Sequence, residues 1–266
     1  SSAQDIQLTN PEWLLPAGLA YVAGWFPSVW FLRRLLREMH HDIQWWAIAR
    51  AYYCGHLGKY VPGKAMALIV RAGMLKEHGV PVTQSVAAAV LETLFAMGVG
   101  TALALATIGR AVPESSIAEL PEALQMAARS NWLIPLLVVA STIAGVCVSG
   151  RIVSRVVSRI AARKSARVES ELDTHESGTP ALNETHSTDP DSLEISTRLL
   201  LQSLPLFAIG WAFHGLSLCC TLAVLGVDLD LATQWLPCTT AVAIGTSVGF
   251  FLLLIPGGIG VREGLV

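Results

Sequence analysis

Residues 13–32 carry no charged side chain, and Arg33, Arg34 and Arg37 follow at once. An uncharged block of that length matches the hydrocarbon thickness a transmembrane helix has to cross. In lipid every backbone amide and carbonyl must be satisfied internally, which restricts such a block to a helix or a closed barrel. The arginines behind it predict a cytoplasmic end, because basic residues gather in cytoplasmic flanks. Trp13, Trp25 and Trp30 suit the interfaces where amphipathic rings collect, while Pro16 and Pro27 predict kinks.

Similar blocks recur along the chain. Residues 82–109 contain Glu92 as their single charge, and residues 132–150, 199–227 and 231–261 contain none. Hydrophobic residues make up 53% of the 266 and charged ones 14%, with mean hydropathy +0.53. An average globular chain has about 25% charged residues. The fold class read from this pattern is all-α, a polytopic transmembrane helix bundle. The net charge of −2 is uninformative, since basic residues cluster at 33–37 and 151–167 and acidic ones at 114–122 and 169–194. No nucleic-acid partner is expected. Cys54, Cys147, Cys219, Cys220 and Cys238 all lie in apolar segments without a CxxC, and they read as buried small hydrophobes. No metal or cofactor is expected. The chain starts without Met and stops soon after a Pro-Gly-Gly run, which reads as a fragment; its first apolar block lacks the basic leader of a cleavable signal peptide.

Three sets of small residues repeat at four-residue spacing: Gly98, Ala102 and Ala106; Ser141, Gly145 and Ser149; Ala241, Gly245 and Gly249. Each predicts a face for close helix packing. The fourth span, 199–227, is expected to be interrupted by Pro205, Gly210 and Gly215. The weakly acidic loop 110–131 reads as external, and Asp228 and Asp230 cap an outside turn. Arg151, Arg155, Arg159, Arg163 and Arg167 fall at every fourth residue, predicting a basic cytoplasmic helix over 151–167. It serves either as a positive-inside anchor or as a site for acidic lipids. Residues 168–198, rich in Ser, Thr, Asp and Glu, read as a disordered cytoplasmic linker. The expected organisation is therefore a membrane bundle over 1–167, that linker, and C-terminal membrane segments over 199–266.

Counting membrane sides isolates one stretch. If 33–37 and 151–167 are both cytoplasmic, 82–109 leads out and 132–150 returns. Residues 38–81 must then begin and end on the cytoplasmic side. Residues 44–75 are too apolar for a cytoplasmic loop, so a re-entrant hairpin of half-helices turning at Pro62-Gly63 is expected. Irregular backbone at that depth survives only where protein or a wet cavity surrounds it.

The charges in and near that hairpin carry the candidate chemistry. Residues 58–65, Gly-Lys-Tyr-Val-Pro-Gly-Lys-Ala, fall one residue short of a phosphate-binding GxxxxGK[ST] loop. Ala65 offers no hydroxyl for magnesium, Pro62 removes an amide, and no strand precedes the run, so a nucleotide site is rejected. Pro is favoured at the first position of a helix, so Pro62 can start a half-helix whose free N–H groups face an anion beside Lys59 and Lys64. Broken helices meeting a substrate in mid-membrane recur in transporters. Alternatively the lysines snorkel to headgroups and only anchor the hairpin. Glu92 must be paired, protonated or beside water, since a central charge costs about 2.5–3.5 kcal/mol; Arg71 and Lys64 are candidate partners. His56 and His214 are candidates for a polar cavity or for helix–helix hydrogen bonds. A second broken run, Pro256-Gly257-Gly258, precedes Arg262 and Glu263 and echoes the first.

These residues resemble the flippase-like membrane domain of the lysylphosphatidylglycerol synthase transmembrane-region family. The likeness rests on residues 57–64 with Arg71, on the helix 86–100 containing Val90-Leu91-Glu92, and on residues 256–263, and it runs from about residue 43 to the C-terminus. It implies a multi-pass plasma (inner) membrane protein with re-entrant segments that handles anionic lipids or lipid-linked saccharides. It carries the anion-contacting role onto Lys59, Lys64, Arg71 and Arg262, with Glu92 and Glu263 as partners and Pro62, Gly63, Pro256, Gly257 and Gly258 shaping the breaks. Two positions depart from the family pattern: Thr93 stands where an arginine is frequent, and a Gly-Glu pair after Pro62 is absent. The soluble aminoacyl-transferase domain of the synthases has no counterpart in these residues, so an enzyme is not the leading expectation.

The leading functional expectation is a flippase-like protein that binds and translocates such a lipid. A membrane-embedded transferase acting on a lipid-phosphate sugar is the alternative, and metal-dependent turnover distinguishes it. A third is a non-catalytic partner of a cell-envelope enzyme, which neutralising Lys64, Arg71 and Arg262 would leave unimpaired.

Overall fold

The computed structural model describes residues 9–58, 66–112, 114–117, 122–129, 133–148, 196–228 and 230–254. Among the described residues every regular element is helical. After a short 3-10 turn at Pro11–Trp13 come α1 (Leu14–Gly24), α2 (Phe26–Glu38), α3 (Trp45–Leu57), α4 (Met66–Lys76) and α5 (Val82–Ala111). Then follow α6 (Glu114–Ile117), α7 (Glu122–Arg129), α8 (Leu133–Val148), α9 (Thr197–Val224) and α10 (Leu231–Leu254). Among the described residues, three helical runs are long and apolar enough to cross a membrane: Pro11–Glu38, Val82–Ala111 and Thr197–Val224. The loop expected over 110–131 contains α6 and α7. Residues 151–167 and most of the linker lie outside the described residues, and α9 already begins at Thr197.

The prolines divide by position. Pro27 acts as expected: without an N–H it cannot bond back to the preceding turn, and the run breaks between Gly24 and Phe26. Pro16 makes no kink, because it is the third residue of α1, where the amide has no intrahelical partner in any case. Nor is α9 interrupted. It runs unbroken for 28 residues with Pro205 inside it, and Gly210 and Gly215 serve as contact points rather than breaks.

Three helices end in the same way. Behind α2, His40 N–H bonds Arg37 O at 3.0 Å and His41 N–H bonds Leu36 O at 2.9 Å, with His40 at φ 64°. Gly79 behind α4 and Gly226 behind α9 repeat this double closure at φ 82° and 83°. The left-handed residue satisfies carbonyls that the helix end leaves open. At α10 the start is the controlled end: Asp230 accepts a bond from Ala232 N–H at 3.0 Å, a side-chain cap.

The chain divides into two compact units. The first comprises Ser1–Leu32, Glu92–Ala144 and Arg198–Val266. Its core includes Phe31, Phe95 and Phe207, all buried; Phe31 and Phe95 stack at 5.3 Å, and Phe207 meets both edge-on. Polar bonds also tie its helices together. Trp211 Nε1–H donates to Ala96 O at 3.1 Å, Ser217 Oγ–H to Ala17 O at 2.9 Å, and Thr107 and Thr240 join hydroxyls at 2.7 Å. Glycines set the closest approaches. A Cβ at Gly98 would run into the side chain of Thr142, and one at Gly210 would lie 2.8 Å from Gly24 O at the α1–α2 break.

Only the first of the three expected small-residue faces is packed as predicted. Ala102 is buried, and Gly98 and Ala106 are half-buried, with Gly98 against α8. On α8 the residue meeting it is Thr142; Ser141 is exposed and a Cβ at Gly145 meets nothing among the described residues. Ser149 lies outside the described residues. On α10, Ala241, Gly245 and Gly249 are exposed, and the buried side is carried by Thr240, Ala243 and Ser247. The cysteines also divide: Cys219, Cys220 and Cys238 are buried as expected, whereas Cys54 is exposed.

The second unit comprises Arg33–Leu91 and Gly145–Thr197. The turn after α2 is pinned by an Arg37–Asp42 ion pair at 2.8 Å, by Arg33 Nε–H to Ile43 O at 3.3 Å, and by His41 to Gln84 at 2.6 Å. Glu38 accepts the Ser196 N–H at 3.1 Å. Around that frame stand α3, α4 and the first turns of α5.

Candidate functional site in the hairpin of α3 and α4

Both helices are short for an apolar segment. At about 1.5 Å per residue, the 13 residues of α3 and 11 of α4 extend about 20 and 16 Å. The hydrocarbon core of a bilayer is about 30 Å thick, so neither helix crosses it alone. They pack against one another. The buried face of α3 is Ile48, Ala49, Ala51, Tyr52 and Gly55, at the spacing of one helical stripe. Opposite it α4 buries Arg71, Ala72 and Leu75.

Glycine makes the approach possible. A Cβ at Gly55 would lie 3.1 Å from both Ala67 O and Arg71 Cβ, and one at Gly58 would lie 2.9 Å from Ala67 Cα and N. Gly58 has an ordinary helical φ of −60°, so its need is for space alone. Trp46, Leu57 and Ile69, by contrast, expose 78, 66 and 58% of their surface. Arg50 on α3 and Lys76 at the end of α4 are exposed as well, so the outer face mixes large apolar side chains with charge while the buried face encloses Arg71.

Arg71 is only 7% exposed and Tyr52 1%. The guanidinium carbon sits 4.3 Å from the centre of the Tyr52 ring, a cation–π contact. His56, one turn further along α3, lies nearly parallel to Tyr52 at 18° and 5.7 Å. This contact lies within α3 and is neither of the two roles expected for His56. The arrangement encloses the Arg71 guanidinium against an aromatic face between the two helices.

The other expected site residues are distributed as follows. Glu92 is 2% exposed within α5 and belongs to the first unit, whereas Arg71 belongs to the second. Lys59, Pro62, Gly63 and Lys64, and likewise Pro256, Gly257, Gly258, Arg262 and Glu263, lie outside the described residues. His214, in the first unit, is surrounded by rings: Trp25 at 4.7 Å, Tyr21 at 5.6 Å and Trp211 at 6.0 Å. A Cβ at Gly24 would come within 2.5 Å of its imidazole. Sequence reasoning missed Tyr52 and Gly55. The available signal was their three-residue spacing on the face that α3 buries.

Long apolar helices and an arginine buried between two short ones define a polytopic helical membrane domain. The chain belongs to the lysylphosphatidylglycerol synthase TM region family, which it matches over residues 2–266. That span takes in the N-terminal helices, beyond the part from residue 43 on which the motifs had rested. No curated protein and no solved structure matches it.

Proposed function

We propose that this membrane domain binds an anionic lipid, a phospholipid or a lipid-linked saccharide, by its headgroup and translocates it in the manner of a flippase. The observation that carries the reading is Arg71, a permanent cation buried in a hairpin whose helices are each too short to cross. A charge held at such a site is costly, and in membrane proteins it marks a substrate path or a counter-ion site. Membership of a family described by lysylphosphatidylglycerol supports a lipid as the ligand. In this reading α3 and α4 are the arms of a re-entrant segment turning at Pro62-Gly63, with Lys59 and Lys64 near the turn. The run from Pro256 to Arg262 and Glu263 supplies a second broken segment, and Glu92 balances basic charge within the bundle. Acyl chains remain in lipid while the headgroup meets the cations. The setting is the plasma membrane, with 168–198 on the cytoplasmic side.

Native mass spectrometry of the intact protein released from membranes tests the binding half. The wild type is expected to retain anionic lipid, and a variant combining Lys64→Ala, Arg71→Ala and Arg262→Ala to lose it. Equal lipid retention by the two proteins would contradict the reading.

A further inference from the structure

An arginine on the outside of a membrane helix needs water or an anion within reach of its side chain. The outer stripe of α3 presents one. Trp46, Arg50, Cys54 and Leu57 fall on one helical face, and all four are exposed. Neither Arg50 nor Trp46 makes a hydrogen bond, ion pair or ring contact among the described residues. The carboxylates that precede Arg50 are engaged elsewhere: Asp42 pairs with Arg37 at 2.8 Å, and Glu38 accepts the Ser196 N–H at 3.1 Å. Lys76, the other exposed cation of the hairpin, is followed directly by the exposed Glu77. Arg50 has no such neighbour. The two helices run antiparallel, since Gly55 and Gly58 at the end of α3 meet Ala67 at the start of α4. The start of α3 and the end of α4 therefore form the open end of the hairpin. Arg50 stands five residues into α3, about 7.5 Å along its axis. A long side chain there leans toward the helix start, which brings the cation to the level of Trp46 at the open end.

We infer that Trp46 and Arg50 form a lipid contact on the outer face of α3, separate from the buried Arg71: the Arg50 guanidinium holds the phosphate of an anionic phospholipid, and the Trp46 indole lies at the level of its headgroup. Charge and neighbours together name the occupant. An unbalanced cation selects an anion, and the planar fork of arginine matches two phosphate oxygens at once. Tryptophan collects at the membrane–water interface. Cys54 and Leu57, further along the same stripe, offer the acyl chains an apolar surface that a soluble anion would not use. The contact fixes the depth at which α3 enters the membrane and gives the domain a preference for anionic lipid around its outside. It rests on the hairpin reading only for the placement of α3 in the membrane, and it needs neither Arg71 nor translocation.

The test places a fluorophore on Cys54, one turn from Arg50 on the same stripe, in the intact protein carrying Cys147→Ser; Cys219, Cys220 and Cys238 are buried. The labelled protein is reconstituted in phosphatidylcholine vesicles. Quenching is then followed as spin-labelled phosphatidylglycerol or spin-labelled phosphatidylcholine replaces the host lipid. With Arg50 in place, phosphatidylglycerol is expected to be favoured about fivefold, the equivalent of about 1 kcal/mol for one arginine at an anionic surface. Arg50→Gln is expected to abolish the preference and Arg50→Glu to invert it. Arg50→Lys keeps the charge without the fork and is expected to hold the ratio within about twofold. Trp46→Ala is expected to weaken both lipids alike, because the indole meets groups common to both; a change in their ratio would overturn its part. Arg71→Ala is expected to leave the ratio as it is. A ratio that is the same with Arg50, Arg50→Gln and Arg50→Glu overturns the contact, and so does one that disappears with Arg71→Ala alone. If instead Arg71→Ala has no effect on lipid retained in the native mass spectra while Arg50→Gln abolishes the quenching ratio, the headgroup role of Arg71 falls and the outer contact stands.

Discussion

Two glycines that look alike in the sequence are predicted to respond in opposite directions to the same substitution. At Gly98 an added methyl would run into the side chain of Thr142. Thr142 is not free to turn away, since its hydroxyl donates to Val138 O at 2.7 Å. Overpacking of that kind costs about 1–3 kcal/mol, while replacing glycine by alanine inside a helix returns about 0.5–1 kcal/mol. The expected net loss for Gly98→Ala is therefore up to about 2.5 kcal/mol and centred on about 1 kcal/mol. Gly245 is exposed, and a Cβ there meets nothing among the described residues. Only the helix term remains, so Gly245→Ala is expected to gain up to about 1 kcal/mol. Unfolding in mixed micelles with a rising fraction of denaturing detergent, followed by circular dichroism, measures both. Adding Thr142→Ala to Gly98→Ala removes the two nearest clashing atoms and should give a coupling of about 1 kcal/mol or more. Equal destabilisation at Gly98 and Gly245, or a cycle with no coupling, would refute the assignment of the packed face.

Three further outcomes follow from local geometry. Thr240→Val removes the hydroxyl bond to Thr107 and should cost about 0.6 kcal/mol, typical of interhelical bonds in lipid; a double cycle with Thr107→Val assigns the loss to that pair. Asp230→Ala removes the cap on α10 and should cost about 1 kcal/mol in the same unfolding assay, with Asp230→Asn losing less. His40→Gly relieves a left-handed residue at φ 64° and should raise stability by up to about 1 kcal/mol, because a side chain is disfavoured there by about 1–2 kcal/mol and glycine returns part of that as chain entropy. A loss at His40→Gly would mean that the imidazole contributes more than its backbone costs.

The spans were legible because lipid imposes one simple rule: a charge-free block of about 20 residues has few alternatives to a helix. Residues 13–32, residues 82–109 with Glu92 as their single charge, and most of 199–227 are helical in keeping with that rule. Which way a helix faces is a weaker signal. The small-residue stripes on α8 and α10 have the period of a packing face, but the period does not name a partner, and the packed sides carry Thr142 and Thr240 instead. Pro16 and Pro27 are alike as letters and differ in what precedes them, a short 3-10 turn before Pro16 and the whole of α1 before Pro27. Arg71 was visible as a charge inside an apolar run. Tyr52 was not, since a tyrosine among apolar residues is common and its role depends on a helix packed across from it. Glu92 stood out for the same reason as Arg71 and is buried.

The most direct test of lipid handling is translocation by the intact protein in proteoliposomes. Phosphatidylglycerol labelled on an acyl chain is placed in both leaflets, and its outer fraction is quenched by a membrane-impermeant reductant. With the wild-type protein the quenched fraction is expected to rise beyond one leaflet's share toward completion, and with Arg71→Ala to remain near the level of protein-free vesicles. Quenching that stops at one leaflet with the wild type, or proceeds equally with Arg71→Ala, would contradict the account.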